Sequence, residues 1–138
     1  MEYMALGCMS GTSLDGIDCS LIKSDGLSFA NEISNKFTPY SNELQNKLHN
    51  IINQGYLIDT RVLTLLNQEY KNSINQFIKN NKVKIDLIAM HGQTIYHDQN
   101  TKISIQLFDK SLKFDSNLPV ICNFRKNDLL NGGNGAPI

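Results

Sequence analysis

Tryptophan, cysteine, proline, histidine and arginine are absent or scarce in this sequence. It contains no tryptophan, three cysteines, three prolines and three histidines, and only two of its 13 basic residues are arginines. The cysteines are Cys8, Cys19 and Cys122, an odd number at wide spacing. That pattern excludes a disulfide framework and is typical of reduced structural thiols. We therefore predict a cytoplasmic setting.

A surplus of charge is also absent, because 13 basic residues balance 13 acidic ones. Proteins that neutralise nucleic-acid phosphates need a basic surplus, so nucleic acid is not an expected partner. No lysine or arginine precedes Lys23, and the N-terminal apolar stretch is interrupted by Ser10, Thr12, Ser13 and Asp15. Neither a secretory signal nor a membrane span fits this stretch, and no membrane partner is expected.

The remaining composition suits one globular unit. A chain of 138 residues with 41% hydrophobic content can bury one core. Apolar runs at residues 4–8 and 17–22 predict two strands of a hairpin, and residues 27–37 predict a third antiparallel strand after the turn at 24–26.

Helical spacing follows these strands. Apolar positions between residues 44 and 52 predict a short helix that ends at Gly55, and those between Val62 and Ile78 predict a longer helix with Asp59 as N-cap. Residues 85–90, 103–107 and 119–122 read as further strands, with a weak helical segment at 110–114. A strand meander followed by alternating helices and strands predicts a mixed α/β sheet.

The polar cluster between the first two strands is the most informative feature. It reads Met9-Ser10-Gly11-Thr12-Ser13-Leu14-Asp15-Gly16-Ile17-Asp18. Gly11 and Gly16 have the spacing of a Walker loop. However, Ile17-Asp18 stands where Lys-Ser or Lys-Thr is needed, and a strand follows where that loop requires a helix. We therefore reject the Walker interpretation.

Two interpretations of this cluster remain open from the residues alone. Backbone N–H groups and the hydroxyls of Ser10, Thr12 and Ser13 can converge on phosphate oxygens, while Asp15 or Asp18 could orient Mg²⁺ through water. The alternative is an ordinary polar turn, because turns use the same residue types. Two glycines, three hydroxyls and two carboxylates within nine positions favour phosphate binding.

A second candidate segment, His91-Gly92-Gln93-Thr94, follows the predicted strand at 85–90. Open α/β sheets bind ligands at the carboxyl ends of their strands. Neutral histidine and amide groups suit the recognition of hydroxyl and acetamido groups. An ordinary buried histidine is an equally good interpretation of His91. His97 lies six residues later, which is not the spacing of metal ligands, so zinc is not predicted.

Arg125 and the C-terminal glycines complete the candidates. The guanidinium of Arg125 could hold a carboxylate or phosphate, or it could form a structural salt bridge with Asp128. Residues 132–138 are rich in glycine, which serves a backbone that approaches another group closely. A domain seldom ends inside such a loop, so we expect the chain to be cut short.

Three motifs in this order resemble those of the anhydro-N-acetylmuramic acid kinases. They are Gly7-Cys8-Met9-Ser10-Gly11-Thr12-Ser13-Leu14-Asp15-Gly16-Ile17-Asp18, then Met90-His91-Gly92-Gln93-Thr94-Ile95-Tyr96-His97, then Phe124-Arg125-Lys126-Asn127-Asp128 with Gly132-Gly133-Asn134-Gly135-Ala136-Pro137. The resemblance spans essentially the whole chain but only the N-terminal part of the family members, which are more than twice as long.

The resemblance implies a fold and a reaction. The fold would be the ribonuclease-H-like N-terminal lobe of the actin-like ATPase and sugar kinase superfamily, in which two lobes close over ATP. The reaction would use ATP and Mg²⁺ to phosphorylate O6 of 1,6-anhydro-N-acetylmuramic acid while water opens the anhydro ring. The product would be N-acetylmuramic acid 6-phosphate, an intermediate of peptidoglycan turnover.

The resemblance also implies the roles of particular residues. ATP would be bound by Gly11, Thr12, Ser13, Leu14, Asp15, Gly16, Ile17 and Asp18, whose donors would meet the charge of the γ-phosphoryl group. The sugar would be bound by His91, Gln93, Thr94, Arg125 and Asp128. The general base of the family lies in an Asp-Cys-Gly-Pro-Gly-Asn type segment that has no counterpart here, so no catalytic residue is predicted.

Two positions depart from the family pattern. Asn123 stands where the family usually has aspartate, which removes a charge near the predicted sugar pocket. Phe108 stands where a glycine is usual, and a bulky aromatic side chain there would reshape the local backbone. We expect both residues to affect the fit of the sugar.

Three hypotheses follow. In the first, residues 1–138 form a single N-terminal kinase lobe that is inactive alone, because phosphoryl transfer needs both lobes around the nucleotide. In the second, the chain is a non-catalytic remnant, or one subunit of a split enzyme that binds a second chain supplying the missing lobe. In the third, the protein is another sugar kinase of the same fold.

Overall fold

The computed structural model describes residues 1–109, 112–114 and 117–136. The elements along the chain are β1 (Tyr3–Ser10), β2 (Gly16–Ser24), β3 (Ala30–Pro39), α1 (Asn42–Asn53), α2 (Thr60–Asn81), β4 (Leu87–Asp98), β5 (Ile103–Leu107), β6 (Val120–Ile121) and α3 (Phe124–Leu130). The predicted mixed α/β class is confirmed, as are the three-stranded meander and both predicted helices.

One mixed sheet organises these strands in the order β3-β2-β1-β4-β5. The pairs β1–β2, β2–β3 and β4–β5 are antiparallel, whereas β1 and β4 are parallel. The short strand β6 runs parallel to β4 beside Ile88 and Ala89, so it shares one edge of β4 with β5. The carboxyl end of β1 therefore lies beside the middle of β4, where Ser10 pairs with Gln93.

Helices α1 and α2 cover one face of the sheet. Alternate residues of β1 and β2 point to this face and are fully buried there with apolar side chains of both helices, including Leu6, Cys8, Ile17, Cys19, Leu21, Leu44, Leu48, Leu66, Tyr70 and Ile74. The Asp59 carboxylate caps α2 by accepting a hydrogen bond from the Arg61 N–H at 2.9 Å, as predicted. The buried thiols of Cys8 and Cys19 are free, as predicted.

The opposite face of the meander carries larger apolar side chains that remain half exposed. Met9 is 50% exposed and Phe37 is 47% exposed. Met9 and Asp18 are directly opposite each other in the β1–β2 register, and Asp18 and Phe37 are opposite in the β2–β3 register. Since paired residues share a face, these three side chains form one exposed row.

The structure differs from the sequence-based expectations in three segments. Strand β4 does not end before His91 but continues to Asp98, because β5 pairs with its second half. Residues 124–130 form the short helix α3, which was not predicted. Residues 112–114 are not helical, and the rest of that predicted helical segment, residues 110–111, lies outside the described residues. Pro137 and Ile138 also lie outside them.

No helix in the described part of the chain is long and apolar enough to cross a membrane.

Candidate functional site

The loop between β1 and β2, residues 11–15, is held by groups from distant parts of the chain. The Gln93 side-chain amide donates to the Gly11 carbonyl at 2.6 Å, and the Tyr40 N–H donates to the Asp15 carbonyl at 2.9 Å. Leu14 is only 1% exposed although its φ is 58°, a value in the left-handed region that bulky residues rarely adopt. Burial of this side chain fixes the middle of the loop to the core.

The polar side chains of the loop face solvent. Thr12, Ser13 and Asp15 are exposed, and the Ser13 hydroxyl donates to the Asp15 carboxylate at 2.6 Å. Ser10 differs from them because it is fully buried in β1 and its Oγ accepts a hydrogen bond from the Tyr70 hydroxyl at 2.8 Å. The predicted contribution of the Ser10 hydroxyl to phosphate binding therefore has no geometric support, whereas Thr12 and Ser13 remain accessible.

The three following residues of the motif belong to β2, and each has a different environment. Gly16 is buried, and a Cβ atom there would overlap the Thr38 carbonyl oxygen and lie 2.7 Å from the Phe37 ring, so close strand packing requires glycine. Ile17 is buried in the core. Asp18 is exposed on the same face as Met9. Among Gly16, Ile17 and Asp18, only Asp18 presents a polar side chain.

The segment 91–94 lies within β4 and divides its side chains between two environments. Gly92 has a φ of 83°, a value that glycine adopts freely, and the register of β4 against β1 shifts at this point. His91 is half-buried, whereas Gln93 and Thr94 are fully buried. Of the predicted sugar-binding residues in this segment, only His91 is accessible to a ligand.

His91 is bound by Arg125 of α3. The Arg125 Nε–H donates to the His91 Nε2 at 3.0 Å, so this nitrogen must be unprotonated. The proton of the neutral ring then sits on Nδ1, which lies 2.9 Å from the Gly92 carbonyl oxygen. Burial lowers the pKa of His91, and the positive charge of Arg125 adds to this effect. The contact between the two side chains thus selects one neutral tautomer.

Arg125 lies in the first turn of the short helix α3. Its Nη1 donates to the Ser104 hydroxyl of β5 at 3.2 Å, and burial lowers its pKa from the ordinary arginine value. Among the described residues it forms no ion pair with Asp128 or with any other carboxylate. A half-buried guanidinium that is held by two neutral groups is suited to bind an anion.

Asp128 organises the glycine-rich segment instead. Its carboxylate accepts a hydrogen bond from the Gly135 N–H at 2.7 Å, and a Cβ atom at Gly133 would overlap this carboxylate. Lys102 of the β4–β5 connection donates to the carbonyls of Gly132 and Gly133 from the other side. Asp128 therefore shapes the segment that follows α3.

A cleft lies between β4, β5 and α3. It has two adjoining parts, of about 440 Å³ and about 810 Å³, which share His91, Phe124 and Arg125. Both volumes fall in the range of small-molecule sites. The larger part is also lined by Met9, Asp128 and Gly135, and the smaller part by Phe108 and Asn123. The two residues that depart from the family pattern therefore line this cleft.

The cleft and the loop lie at the same end of β1. Met9, which lines the cleft, is two residues before Gly11. Asp18 lies opposite Met9 on the cleft side of the sheet. Of the predicted site residues, three line the cleft, namely His91, Arg125 and Asp128. Four are exposed in or just after the loop that begins beyond Met9, namely Thr12, Ser13, Asp15 and Asp18, and five are buried, namely Leu14, Gly16, Ile17, Gln93 and Thr94.

Three supporting side chains were not found by sequence reasoning. Tyr40 and Tyr70 are buried, with hydroxyls bound to Gln93 at 2.9 Å and to Ser10 at 2.8 Å. Burial raises the pKa of Tyr40 to about 12 and that of Tyr70 well above its ordinary value, so both hydroxyls stay protonated. Ser104 holds Arg125. A helical or strand pattern does not distinguish these residues from ordinary core and sheet positions.

The carboxylates fit a water-mediated magnesium site but not a dedicated metal cage. The described residues contain no group of three or more histidine, cysteine, aspartate or glutamate side chains that could hold a metal ion. Mg²⁺ at phosphate sites usually keeps several waters and uses one or two carboxylates together with phosphate oxygens. Asp15 and Asp18 each present an exposed carboxylate, which is the ligand type that such a site uses.

Comparison with known proteins identifies the family of the chain. The family model described as anhydro-N-acetylmuramic acid kinase matches residues 3–138. Proteins carrying the same name from Pelagibacter ubique, Rhodopseudomonas palustris and Gluconobacter oxydans are 41%, 32% and 36% identical to this chain, respectively.

The matches cover 97% to 100% of this chain but only 39% to 41% of those three relatives. The chain therefore spans about two fifths of their length. The mixed sheet with its antiparallel meander is consistent with the N-terminal lobe of an actin-like ATPase fold. On these grounds the chain belongs to the anhydro-N-acetylmuramic acid kinase family.

Proposed function

We propose that residues 1–138 form the N-terminal lobe of an ATP-dependent kinase that phosphorylates O6 of 1,6-anhydro-N-acetylmuramic acid. Water would open the anhydro ring in the same reaction, and the product would be N-acetylmuramic acid 6-phosphate. The general base and the second lobe would be supplied by a region that corresponds to the part of the relatives' sequences that this chain does not cover. The 138 residues alone would then show negligible turnover.

One observation carries this proposal. An accessible loop of hydroxyl and backbone donors begins two residues after Met9, which lines a cleft that contains a half-buried arginine without a carboxylate partner among the described residues. The loop supplies donors for a phosphoryl group, and the cleft supplies a place for the sugar that receives it. Transfer between two substrates requires this adjacency.

The residues divide the work as follows. The backbone of the loop, with Thr12 and Ser13, would hold ATP phosphate oxygens. Asp15 and Asp18 would orient Mg²⁺ through water, and the bound ion would neutralise phosphate charge. His91 and Arg125 would hold the sugar, with the guanidinium on the lactyl carboxylate. Asp128 would act through the glycine-rich segment that it shapes.

Nucleotide binding is tested on the 138-residue chain by titration with MgATP and NMR detection of backbone amides. We expect the amides of Thr12 and Ser13 to shift, and Ser13→Ala to weaken binding about threefold, since one hydrogen bond is lost. Ser28→Ala, in the turn between β2 and β3, is the matched control and should leave binding unchanged. Shifts elsewhere without shifts in this loop would contradict the assignment.

Sugar recognition is tested in a chimaera that joins residues 1–138 to the remaining part of the Pelagibacter ubique relative. The reaction is ATP-dependent phosphorylation of 1,6-anhydro-N-acetylmuramic acid, compared with 1,6-anhydro-N-acetylglucosamine, which lacks the lactyl carboxylate. Arg125→Met should raise KM for the first sugar about tenfold or more and remove the preference between the two, because a charge-assisted contact is lost.

Arg61→Met is the control for this experiment, since it makes the same substitution at the other arginine, whose side chain is 87% exposed at the start of α2 and lines neither part of the cleft. It should change neither KM nor the preference. If Arg125→Met keeps the preference, the lactyl carboxylate must bind to another residue. If the chimaera hydrolyses ATP but phosphorylates neither sugar, the protein is better described as another sugar kinase of this fold.

A further inference from the structure

We propose that Gln93 and Tyr40 are positioning residues that set the shape of the loop 11–15 and thereby its affinity for nucleotide phosphates. The inference rests on the proposed function, because that function assigns nucleotide binding to the loop. The contacts of Gln93 and Tyr40 with the loop do not depend on it. It assigns Gln93, a residue of the predicted sugar-binding segment, to the nucleotide side of the site.

The amide of Gln93 is completely occupied inside the protein. Its Nε2 donates to the carbonyls of Gly11 at 2.6 Å and Thr94 at 2.9 Å, and its Oε1 accepts from the Tyr40 hydroxyl at 2.9 Å. Carbonyl oxygens can only accept, so the orientation of the amide is fixed by its partners. Because the side chain is 0% exposed, we do not propose that it binds the sugar directly.

Tyr40 holds the loop at both ends. Its N–H donates to the Asp15 carbonyl at the end of the loop, while its hydroxyl reaches Gly11 at the beginning through Gln93. Its side chain is buried between the sheet and the helices. One buried residue outside the loop therefore links its two ends, in addition to the β1–β2 pairing of Met9 with Asp18 that flanks it.

The consequence for ligand binding follows from peptide geometry. The carbonyl of Gly11 and the N–H of Thr12 belong to one planar trans peptide unit and point in opposite directions. When Gln93 holds the carbonyl inward, the N–H of Thr12 is directed away from β4 and out of the core. A donor that is already directed outward binds an anion without the cost of ordering the loop.

The test uses two variants and one control in the 138-residue chain. Gln93→Met keeps the length of the side chain but removes its donors, and Tyr40→Phe removes only the hydroxyl. Ser73→Ala is the control, because Ser73 is equally buried and its hydroxyl donates to Thr38 at 2.9 Å without touching the loop. MgATP affinity and the ¹⁵N order parameters of Thr12 and Ser13 are measured in each.

We expect Gln93→Met to weaken MgATP binding about tenfold and Tyr40→Phe about threefold, since each removes hydrogen bonds that order the loop. Both should lower the order parameters of Thr12 and Ser13, whereas Ser73→Ala should change neither quantity. Unchanged order parameters in both loop variants would overturn the inference. If Gln93→Met does not fold, Tyr40→Phe decides by the same two measurements.

The experiment distinguishes failure of the proposed nucleotide binding from failure of the proposed positioning role of Gln93 and Tyr40. A wild-type chain that does not bind MgATP contradicts the proposed function of the lobe. The order parameters of Thr12 and Ser13 then still test whether Gln93 and Tyr40 position the loop, because they are measured without ligand. A loop that becomes mobile in the variants while MgATP affinity stays unchanged would separate the shape of the loop from its function and overturn the inference.

Discussion

The sheet contains two hairpin turns of equal length and similar composition that are held in different ways. Residues 11–15 connect β1 to β2, and residues 25–29 connect β2 to β3; each turn has one glycine, one aspartate, one leucine and one serine. In the second turn the Asp25 carboxylate accepts hydrogen bonds from the N–H groups of Leu27 and Ser28 and from the Ser28 hydroxyl. The first turn also has internal hydrogen bonds, from the Leu14 N–H to the Gly11 carbonyl and from the Ser13 hydroxyl to Asp15, but Gln93 and Tyr40 additionally hold the Gly11 and Asp15 carbonyls from distant parts of the chain.

The difference shows why composition alone does not distinguish the two turns. In the second turn the polar side chain of Asp25 forms hydrogen bonds with the backbone of the turn itself. A turn that is held by Gln93 and Tyr40 leaves Thr12 and Ser13 exposed. The buried leucine in the first turn and the exposed leucine in the second express the same contrast, since only the first turn is fixed to the core.

The largest expected difference between the turns concerns these two leucines. Leu14 is 1% exposed and Leu27 is 96% exposed. Leu14→Ala should lower the free energy of unfolding by about 3 kcal/mol through lost burial and a cavity. Leu27→Ala should change it by less than about 0.5 kcal/mol. Urea unfolding of both variants measures the difference, and equal costs would show that the first turn is not fixed to the core.

The next largest difference concerns the glycines. Gly16, which follows the first turn, has no room for a Cβ atom beside Thr38 and Phe37, so Gly16→Ala should cost about 2 to 3 kcal/mol through overpacking. Gly26 has open space but a φ of 78°, so Gly26→Ala should cost only about 1 kcal/mol of backbone strain. Hydrogen exchange should show loss of protection along β2 and β3 in Gly16→Ala alone.

The smallest difference is a local response to acid. Hydrogen bonds from Ser28 and the turn backbone hold the pKa of Asp25 below its usual range. Its contribution to stability is therefore complete above the unfolded carboxyl pKa of about 3.9 and is lost as the pH falls through the lower folded value. Amide shifts of Leu27 and Ser28 should follow this titration, whereas the Tyr40 amide that holds the first turn should not share its midpoint.

Asp25→Asn is the control for the acid titration, because it removes the ionisable group while keeping the size of the side chain. The titration of the Leu27 and Ser28 amides should disappear in this variant. A Tyr40 amide that moves with the same midpoint in the wild type, and stops moving in Asp25→Asn, would mean that the two turns are coupled.

Local patterns predicted most of the fold. The α2 helix has a continuous apolar stripe and an aspartate N-cap, and the meander has apolar runs separated by turn residues, so these elements followed from nearby residues. Helix α3 did not, because its seven residues are too few for a periodic stripe and its N-cap Asn123 provides no side-chain hydrogen bond. The extension of β4 depends on pairing with β5, which no pattern within β4 reveals.

The sequence motifs did not predict which of their side chains are exposed and which are buried. The motifs located the loop and the segment that contains His91. Whether a polar residue faces the cleft or the interior depends on the register shift near Gly92, which inverts neighbouring side chains. The role of Gln93 depends on Tyr40, which lies 53 residues earlier in the sequence. Contacts of this range are not encoded in the local pattern.

The hydrogen bond between Gly11 and Gln93 also affects when the loop can complete its contacts during synthesis of the chain. Gln93 follows Gly11 by 82 residues, so the ribosome must make most of this lobe before the loop can acquire its partner. At about 5 to 20 residues per second, that delay is roughly 4 to 16 s. The self-contained turn at 25–29 needs no such delay. The loop at residues 11–15 therefore lacks its contact with Gln93 throughout synthesis of α1 and α2, and it gains this contact only after β4 has been made.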